Sequence, residues 1–377
     1  MTEDGRRETA ADGRRDAAAD GTEDAREPVG AGGAHEPGPG RTTLAEVARQ
    51  AGVSVSTVSK VLHERSDVAS RTRAKVQRLL AQHGYLARSR PAPNALAPGG
   101  LIDFVVNELG SPWGVELVRG AEEALHAVGM GLVVSATQGR GRSARQWLDS
   151  LATRRTRGAI LVVPGLSEGE LAQLRRLGIP FALIAPAEEP PAGVPWVGAT
   201  NWPGGLAATR HLIRLGHRRI AVIGGPPDRL ASRARVDGYR AALEEAGLPY
   251  DPTLVRHGDF TPEPALRHAL DLLRLPEPPT AIFAGSDQQA LSTYRAAATL
   301  GLRVPDDLSV VGFDDLPFAQ WVTPPLTTVR TPLADMAALA VRMVLQLLAG
   351  ERPETTRAEV ASELVVRESS GPPPATG

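Results

Sequence analysis

The sequence has 377 residues, enough for roughly two or three domains, and its 42% hydrophobic and 23% charged residues are typical of a globular protein. It contains no cysteine, which excludes disulfides, thiolate metal sites and a cysteine nucleophile. No apolar run is long enough to span a bilayer, and residues 1–7 lead into no apolar segment. We therefore expect a cytoplasmic protein with no secretory signal and no membrane partner.

The net charge of −1 conceals an uneven distribution along the chain. Residues 1–40 carry ten acidic residues against five arginines, whereas residues 41–90 carry ten basic residues against three acidic ones. A compact basic segment on a mildly acidic body is typical of a nucleic-acid-binding module attached to a regulatory domain. The alternative is a solvated basic face that binds nothing.

Residues 1–40 consist mainly of Ala, Gly, Asp, Glu and Arg, with no Leu, Ile or aromatic residue. Such a segment buries too little apolar surface to offset the entropy of ordering. We therefore predict a disordered tail, followed by a first domain at residues 41–88.

Residues 41–88 fit a helix-turn-helix domain. An amphipathic first helix is followed by Gly52, which can take the positive φ of a tight turn, and by Ser54, which can cap a second helix. The apolar positions predicted to pack these two helices together are Leu44, Val47, Ala48, Val58, Val61 and Leu62. A third helix is predicted after Ser70, which can cap it, and it ends at Gly84.

The second helix leaves one face and its N-terminus directed outward. The residues in these places, which a recognition helix presents to a major groove, are Val55, Ser56, Thr57, Ser59 and Lys60. A small helical bundle that is basic by chance is the alternative. The spacing of Ala48, Gly52 and Val58, together with the positive charge, favours binding of double-stranded DNA.

Residues 89–100 contain three prolines and end in Gly99 and Gly100, which is typical of a hinge or linker.

From residue 101 to about 367, apolar runs alternate with amphipathic helical patterns. The apolar runs are residues 101–106, 132–135, 159–163, 181–184, 220–223, 281–284 and 308–313. The helical patterns lie near residues 114–128, 143–153, 168–177, 203–215, 234–246, 263–274, 287–300 and 333–349.

This alternation predicts βαβ units with parallel sheets covered on both faces. Its length favours an α/β architecture of two doubly wound parallel-sheet subdomains over one oversized sheet. A strand-like segment is predicted at residues 359–366, and residues 368–377 are predicted to form a tail.

The sequence resembles the lactose/galactose repressor family of bacterial transcriptional regulators. The segment TLAEVARQAGVSVSTVSK at residues 43–60, residues 68–76, and Gly84-Tyr85 are similar to the DNA-binding domain of that family. The segment VPDDLSVVGFDD at residues 304–315 is similar to its regulatory domain, as are residues 201–205, 211–220, 235–240 and 324–329. The resemblance extends from about residue 42 to 367. It implies a homodimeric repressor of a pseudo-palindromic operator, with a periplasmic-binding-protein-like regulatory domain at residues 101–367.

The resemblance also implies roles within the DNA-binding domain. Val55, Ser56 and Lys60 would contact bases, with Lys60 suited to a guanine edge, whereas Ser54, Thr57 and Ser59 would contact phosphates. Members of the family insert a leucine from a hinge helix into the minor groove. Leu96 is the candidate for that wedge, and a flexible linker without a wedge is the alternative because prolines surround it.

The resemblance places an effector between the two subdomains and assigns Arg235 and Asp314 to that cleft. The planar guanidinium of Arg235 suits adjacent hydroxyls, and Asp314 follows a predicted strand, where ligands of open α/β sheets bind. A surface salt bridge and a helix cap are the alternatives for these two residues. Further candidates, each of which packing or capping would explain equally well, are Asn107, Trp113, Trp202, Ser286 and Asp287. Many family members carry an acidic residue after the strand at 181–184, where this chain has Ala185 and Pro186.

The sequence therefore predicts a ligand-regulated DNA-binding repressor whose effector is a sugar or oligosaccharide. A solute-binding protein of sugar-transport type without a DNA role is the alternative. We expect a protein that is not an enzyme and that holds no cofactor or metal. Neighbouring carboxylates such as Asp314 and Asp315 usually point apart when they lie in one loop, whereas the two carboxylates of a glycosidase face each other across the substrate. No zinc-protease, P-loop or nucleophile-elbow motif occurs in the sequence.

Overall fold

The computed structural model describes residues 44–62, 68–82, 100–137, 144–154, 156–163 and 166–374. The chain divides into two compact units, Met1–Ser89 and Arg90–Gly377. The predicted tail at residues 1–40 and the predicted hinge with Leu96 lie outside the described residues. Within the described part of the chain, no helix has the length and apolar character needed to cross a membrane.

The first unit contains three helices, α1 (Leu44–Ala51), α2 (Val55–Leu62) and α3 (Ser70–Gln82). Their shared core consists of Val47, Ala48, Ala51, Val58, Val61, Val76 and Leu80. Gly52, with φ of 69°, lies in the turn between α1 and α2, where a side chain would be strained. The helix-turn-helix prediction is confirmed.

The second unit contains alternating strands and helices. Its strands are β1 (Leu101–Val106), β2 (Gly131–Ala136), β3 (Gly158–Val162), β4 (Phe181–Ile184), β5 (Trp196–Ala199), β6 (Ile220–Gly224), β7 (Val255–His257), β8 (Ala281–Ala284), β9 (Ser309–Asp314), β10 (Thr327–Arg330), β11 (Arg357–Val360) and β12 (Glu363–Val365). Its helices are α4 (Pro112–His126), α5 (Ala144–Arg154), α6 (Glu168–Leu177), α7 (Asn201–Arg214), α8 (Leu230–Glu245), α9 (Pro262–Leu273), α10 (Asp287–Thr299) and α11 (Leu333–Leu348).

These strands form two six-stranded sheets, which we call subdomains 1 and 2 with their covering helices. The strand order is β11-β5-β4-β3-β1-β2 in subdomain 1 and β12-β10-β9-β8-β6-β7 in subdomain 2. All neighbouring strands are parallel except β10 and β12. Phe104 and Ile160 face α4 and α11 in one apolar cluster, whereas Leu161 faces α5 and α6 in another. The predicted α/β architecture of two doubly wound sheets, each buried on both faces, is thereby confirmed.

The predicted strands match the observed ones to within one residue at each end, but the sequence missed β5, β7 and β10. These three strands, with the sequences WVGA, VRH and TTVR, are short and contain Gly, Arg, His or Thr, so they lack the continuous apolar run that marks β4 and β8. The single strand predicted at residues 359–366 is wrong, because β11 joins subdomain 1 and β12 joins subdomain 2. The chain also passes between the subdomains after β5 and after β10.

The predicted tail is attached to subdomain 2 through residues 368–371. The Val310 N–H donates to the Ser369 carbonyl at 2.8 Å, and the Ser369 side chain is fully buried. The His217 Nε2 lies 2.9 Å from the Gly371 carbonyl, and its Nδ1 lies 2.8 Å from the Thr280 hydroxyl. Burial lowers the pKa of His217, although the bond to Gly371 opposes the shift. The neutral imidazole therefore joins the C-terminal segment to the sheet.

Candidate functional site

The predicted recognition helix begins with a side-chain cap. The Thr57 N–H donates to the Ser54 Oγ at 3.1 Å, which confirms the predicted cap of α2. Val58 is buried against α1 and α3, whereas Val55, Ser56 and Lys60 are exposed and Thr57 and Ser59 are half-buried. The exposed fraction of Val55 is 46%, high for an aliphatic side chain. The residues proposed to read DNA thus share the face of α2 that the described residues of its unit leave exposed or half-buried.

In the second unit, the loops that follow the strands of both sheets surround a cleft. This is the edge of parallel sheets at which ligands usually bind. The cleft contains an inner chamber of about 180 Å³, whose polar lining includes Ser111, Arg229, Arg235, Ser286 and Asp314. An adjacent outer chamber of about 300 Å³ is lined by Glu189, Trp196, Trp202, Arg357 and Glu359.

Arg235 reaches the inner chamber because α7 and α8 pack unusually closely. A Cβ atom at Gly205 would overlap the backbone of Arg235, and one at Gly238 would overlap the backbone of Trp202. These two glycines therefore permit the backbones to touch. As a result, the Arg235 Nε donates to the Asn201 Oδ1 at 2.8 Å across the two helices.

The Arg235 guanidinium is held on several sides. Its Nη1 donates to the Gly285 carbonyl, and its Cζ lies 3.6 Å from the centroid of the Phe313 ring and 5.6 Å from that of Phe260. Burial lowers the pKa of Arg235, while the nearby Asp314 and Asp287 carboxylates oppose that shift. An arginine remains charged under such conditions, so the chamber contains a fixed, planar hydrogen-bond donor.

Asp314 supplies the complementary acceptor. Its Oδ1 lies 3.7 Å from the Arg235 Nη2, beyond hydrogen-bond distance, and has no hydrogen-bond partner among the described residues although the side chain is 95% buried. Burial raises the pKa of Asp314 to about 7, against the opposing effect of Arg235. Asp314 also has φ of 113°, which is costly for a residue with a side chain. A buried acceptor without a partner is the kind of group that a ligand hydroxyl satisfies.

Of the other residues that the sequence suggested for effector binding, some line the inner or the outer chamber and others line neither. Trp113 is half-buried and lines both chambers, and Trp202, 43% exposed, lines the outer chamber only. Ser286 lines the inner chamber, but its Oγ also caps α10 by accepting from the Gln289 N–H at 3.3 Å. Asn107 lines neither chamber and accepts a long hydrogen bond of 3.4 Å from the Thr137 hydroxyl.

Asp287 does not line the inner chamber. Its Oδ2 accepts from the Leu316 N–H at 2.7 Å, and its Oδ1 accepts from the Thr328 hydroxyl at 2.5 Å. Burial, with Asp314 adding to the effect, raises the pKa of Asp287 well above its ordinary value. The side chain thus connects β10 to the loop after β9, the strand that ends at Asp314.

Sequence reasoning missed several residues of the cleft. Asn201, Phe260 and Phe313 hold Arg235, and Arg229 lines the inner chamber with no side-chain partner among the described residues. In the sequence, Phe313 has only the pattern of a core residue of β9. Phe260 gave no signal, because its loop follows β7, a strand that the sequence did not predict. Among the described residues, no group of three potential metal ligands occurs.

Two protein families match the chain. Bacterial regulatory proteins of the lacI family match residues 43–87, and the periplasmic binding protein-like domain matches residues 209–370. The HTH-type transcriptional regulator DegA of Bacillus subtilis (strain 168) is 32% identical over 335 residues, which cover 88% of this chain and 99% of DegA. The HTH-type transcriptional regulator CelR of Thermobifida fusca is 34% identical over 335 residues, which cover 87% of this chain and 98% of CelR.

Two solved structures extend this likeness to the fold. A complex of the transcriptional regulator CelR with cellobiose has a TM-score of 0.65 and 34% identity, covering 87% of this chain and 100% of that one. A lac repressor dimer bound to operator and the anti-inducer ONPF has a TM-score of 0.65 and 26% identity, and the match covers 87% of this chain and 99% of the repressor chain.

Proposed function

This chain belongs to the lacI family of bacterial regulatory proteins, and we propose that it is a cytoplasmic repressor whose affinity for operator DNA is set by a sugar or oligosaccharide in the cleft. It is a transcriptional regulator of the helix-turn-helix type. The relatives match it over both units, which supports this function over that of a transport protein without a DNA role. No catalytic step is part of the proposal.

The observation that carries the effector proposal is the pairing of Arg235 with Asp314 in the inner chamber. A fixed guanidinium and a buried carboxylate oxygen without a hydrogen-bond partner offer a donor and an acceptor to neighbouring hydroxyls. Trp113 and Phe260 add apolar surface for the faces of a sugar ring. CelR, a relative, has been solved with cellobiose.

Regulation follows because both subdomains line the inner chamber. Ser111 and Trp113 come from subdomain 1, whereas Arg235, Ser286 and Asp314 come from subdomain 2. A ligand that contacts both sides favours one arrangement of the subdomains, and only such a preference can change operator affinity.

We place Lys60, Val55 and Ser56 against base edges and Ser54, Thr57 and Ser59 against phosphates. A single α2 reads too few base pairs for specificity, so the repressor binds as a homodimer to a pseudo-palindromic operator. Trp321 is 79% exposed, which favours an interface between copies.

The test is a gel-shift screen with genomic fragments, followed by titration of the bound fragment with and without saccharides and purines. We expect a fragment with a two-fold symmetric footprint whose affinity changes with a saccharide. If only a purine binds, the sugar proposal is wrong. If no genomic fragment binds, the repressor proposal is contradicted and the solute-binding alternative gains support.

A further inference from the structure

We propose that the effector is a saccharide of at least two rings, with one ring in the inner chamber and the next in the outer chamber. This inference rests on the proposed sugar effector and specifies its size and its second binding site. The relevant features of the outer chamber are its continuity with the inner one, its aromatic surface and its exposed charged groups.

The two chambers are contiguous. They share the lining residues Trp113, Ala185, Pro186, Ala231 and Arg235. Small-molecule sites usually occupy about 300–1,000 Å³. The inner chamber, at about 180 Å³, is below that range, whereas the two chambers together fall within it. A ligand that fills the cleft therefore extends past Arg235 toward the outer chamber.

The outer chamber offers aromatic surface along this path. Trp113 lines both chambers, Trp202, which is 43% exposed, lines the outer one, and Trp196, which is only 8% exposed, contributes a small part of its surface there. The Trp196 ring lies over Gly198, where any Cβ atom would come within 2.8 Å of the ring. Glycine at this position therefore leaves room for the indole to lie along β5. Indole rings pack well against the apolar faces of sugar rings because they are large, flat and only partly polar.

The polar groups of the outer chamber are arranged around one guanidinium. The Cζ of Arg357 lies 4.9 Å from the centroid of the Trp196 ring. Its Nη1 is 3.1 Å from a Glu189 carboxylate oxygen, and its Nη2 is 3.1 Å from a Glu359 oxygen. The cluster thus presents donors and acceptors side by side, as recognition of vicinal hydroxyls requires.

These ion pairs are easily exchanged for ligand hydroxyls. The exposed fractions of the side chains are 56% for Arg357, 69% for Glu189 and 43% for Glu359. Exposed ion pairs are weak because water screens them, so replacing one with a hydrogen bond to a sugar costs little. The buried groups of the inner chamber, by contrast, are fixed. The inner chamber therefore selects the first ring, and the outer chamber adds affinity for the second.

The test compares matched saccharides on the full-length chain by calorimetry. The probes are glucose, galactose, mannose and xylose and a homodisaccharide of each, with Arg357→Ala, Glu189→Gln and Trp202→Ala as variants. For the wild type we expect one disaccharide to bind at least tenfold more tightly than its monosaccharide. The variants should lose most of that gain, and Arg357→Ala and Glu189→Gln should keep monosaccharide affinity within about twofold.

Arg210→Ala is the matched control, because Arg210 and Glu245 form an equally exposed ion pair at 2.6 Å that lines neither chamber. It should leave every affinity unchanged. Thermal unfolding of each variant separates a lost contact from a lost fold. If a monosaccharide binds but no disaccharide exceeds its monosaccharide, or if the three variants match the control, the two-ring inference is overturned and the proposed function stands. If no saccharide binds, both the two-ring inference and the proposed sugar effector are overturned, whereas the proposed binding to operator DNA is tested separately by the gel-shift screen.

Discussion

The surface proposed to read DNA and the cleft proposed to bind the effector differ in how they are assembled. The first takes its residues from seven consecutive positions, 54–60, all of them exposed or half-buried except Val58. The second joins Ser111, Arg235 and Asp314, which lie far apart in the sequence, and buries both of its central charges. Substitutions on the outward face of α2 should therefore alter DNA binding alone, whereas substitutions of the buried charges in the cleft should alter both ligand binding and stability.

The largest effect is expected for Arg235→Ala. Removing the guanidinium deprives Asp314 of its buried counter-charge and leaves the Asn201 Oδ1 and the Gly285 carbonyl without their donor, and breaking such a buried pair costs about 3 kcal/mol. Calorimetry should show that the ligand response is lost, and denaturant unfolding should show a less stable second unit. Operator affinity measured without ligand should match that of the wild type. Retained ligand affinity would contradict the assignment of the chamber.

Lys60→Ala tests the other side of the comparison. It should weaken binding to the cognate operator by about 1–3 kcal/mol and relax the preference at one base pair, with no change in unfolding. Fluorescence anisotropy with cognate and scrambled DNA measures the loss of affinity and the loss of sequence preference. Arg73 in α3, which we propose to contact a phosphate, provides the contrast: Arg73→Ala should weaken binding to all sequences alike. Equal losses on both DNAs for Lys60→Ala would show that Lys60 contacts only the backbone.

The pH dependence of ligand affinity provides a third test. The pKa of Asp314 is raised to about 7, and a ligand hydroxyl that donates to Oδ1 prefers the ionised carboxylate. Affinity should therefore rise with pH, by up to about tenfold per unit below pH 7, and level off above it. Asp314→Asn should flatten this profile. A wild-type affinity that falls as the pH rises from 6 to 8 would mean that the protonated carboxyl donates to the ligand.

The smallest effect concerns His217, which lines neither chamber of the cleft. Because burial lowers its pKa, the unfolded chain binds more protons at low pH than the folded chain does. Its contribution to stability is therefore complete above the unfolded pKa of about 6.5 and is lost as the pH falls through the folded value. His217→Gln should remove this loss, at most about 1.4 kcal/mol for each unit of pKa shift. The measurement is the free energy of unfolding of the wild type and of His217→Gln at a series of pH values from 7.5 down to 5. If the free energy of unfolding changes with pH in the same way for both proteins, the prediction is contradicted.

The strands and helices were largely predictable because the buried parallel strands are continuous apolar runs and the helices have regular apolar faces. Where the local signal was weak, prediction failed. Helix α8 begins four residues before the predicted position, since Arg229 at its N-cap makes no side-chain capping bond. Residues 359–366 contain one strand-like pattern, yet the chain crosses between the subdomains within it.

The sequence by itself determined the helix-turn-helix, its Ser54 cap and the outward face of α2, because those features depend on residues within one or two helical turns. It also pointed to Arg235 and Asp314, through motifs that resemble those of a known family. Only the tertiary structure decided that Asp287 links β10 to the loop after β9 instead of lining the inner chamber. It also decided that Phe313 and Asn201 hold Arg235, and that Arg357 and Trp196 line a second chamber. These neighbours come from separate strands and helices, and their contacts depend on how the two sheets pack, which no local pattern records.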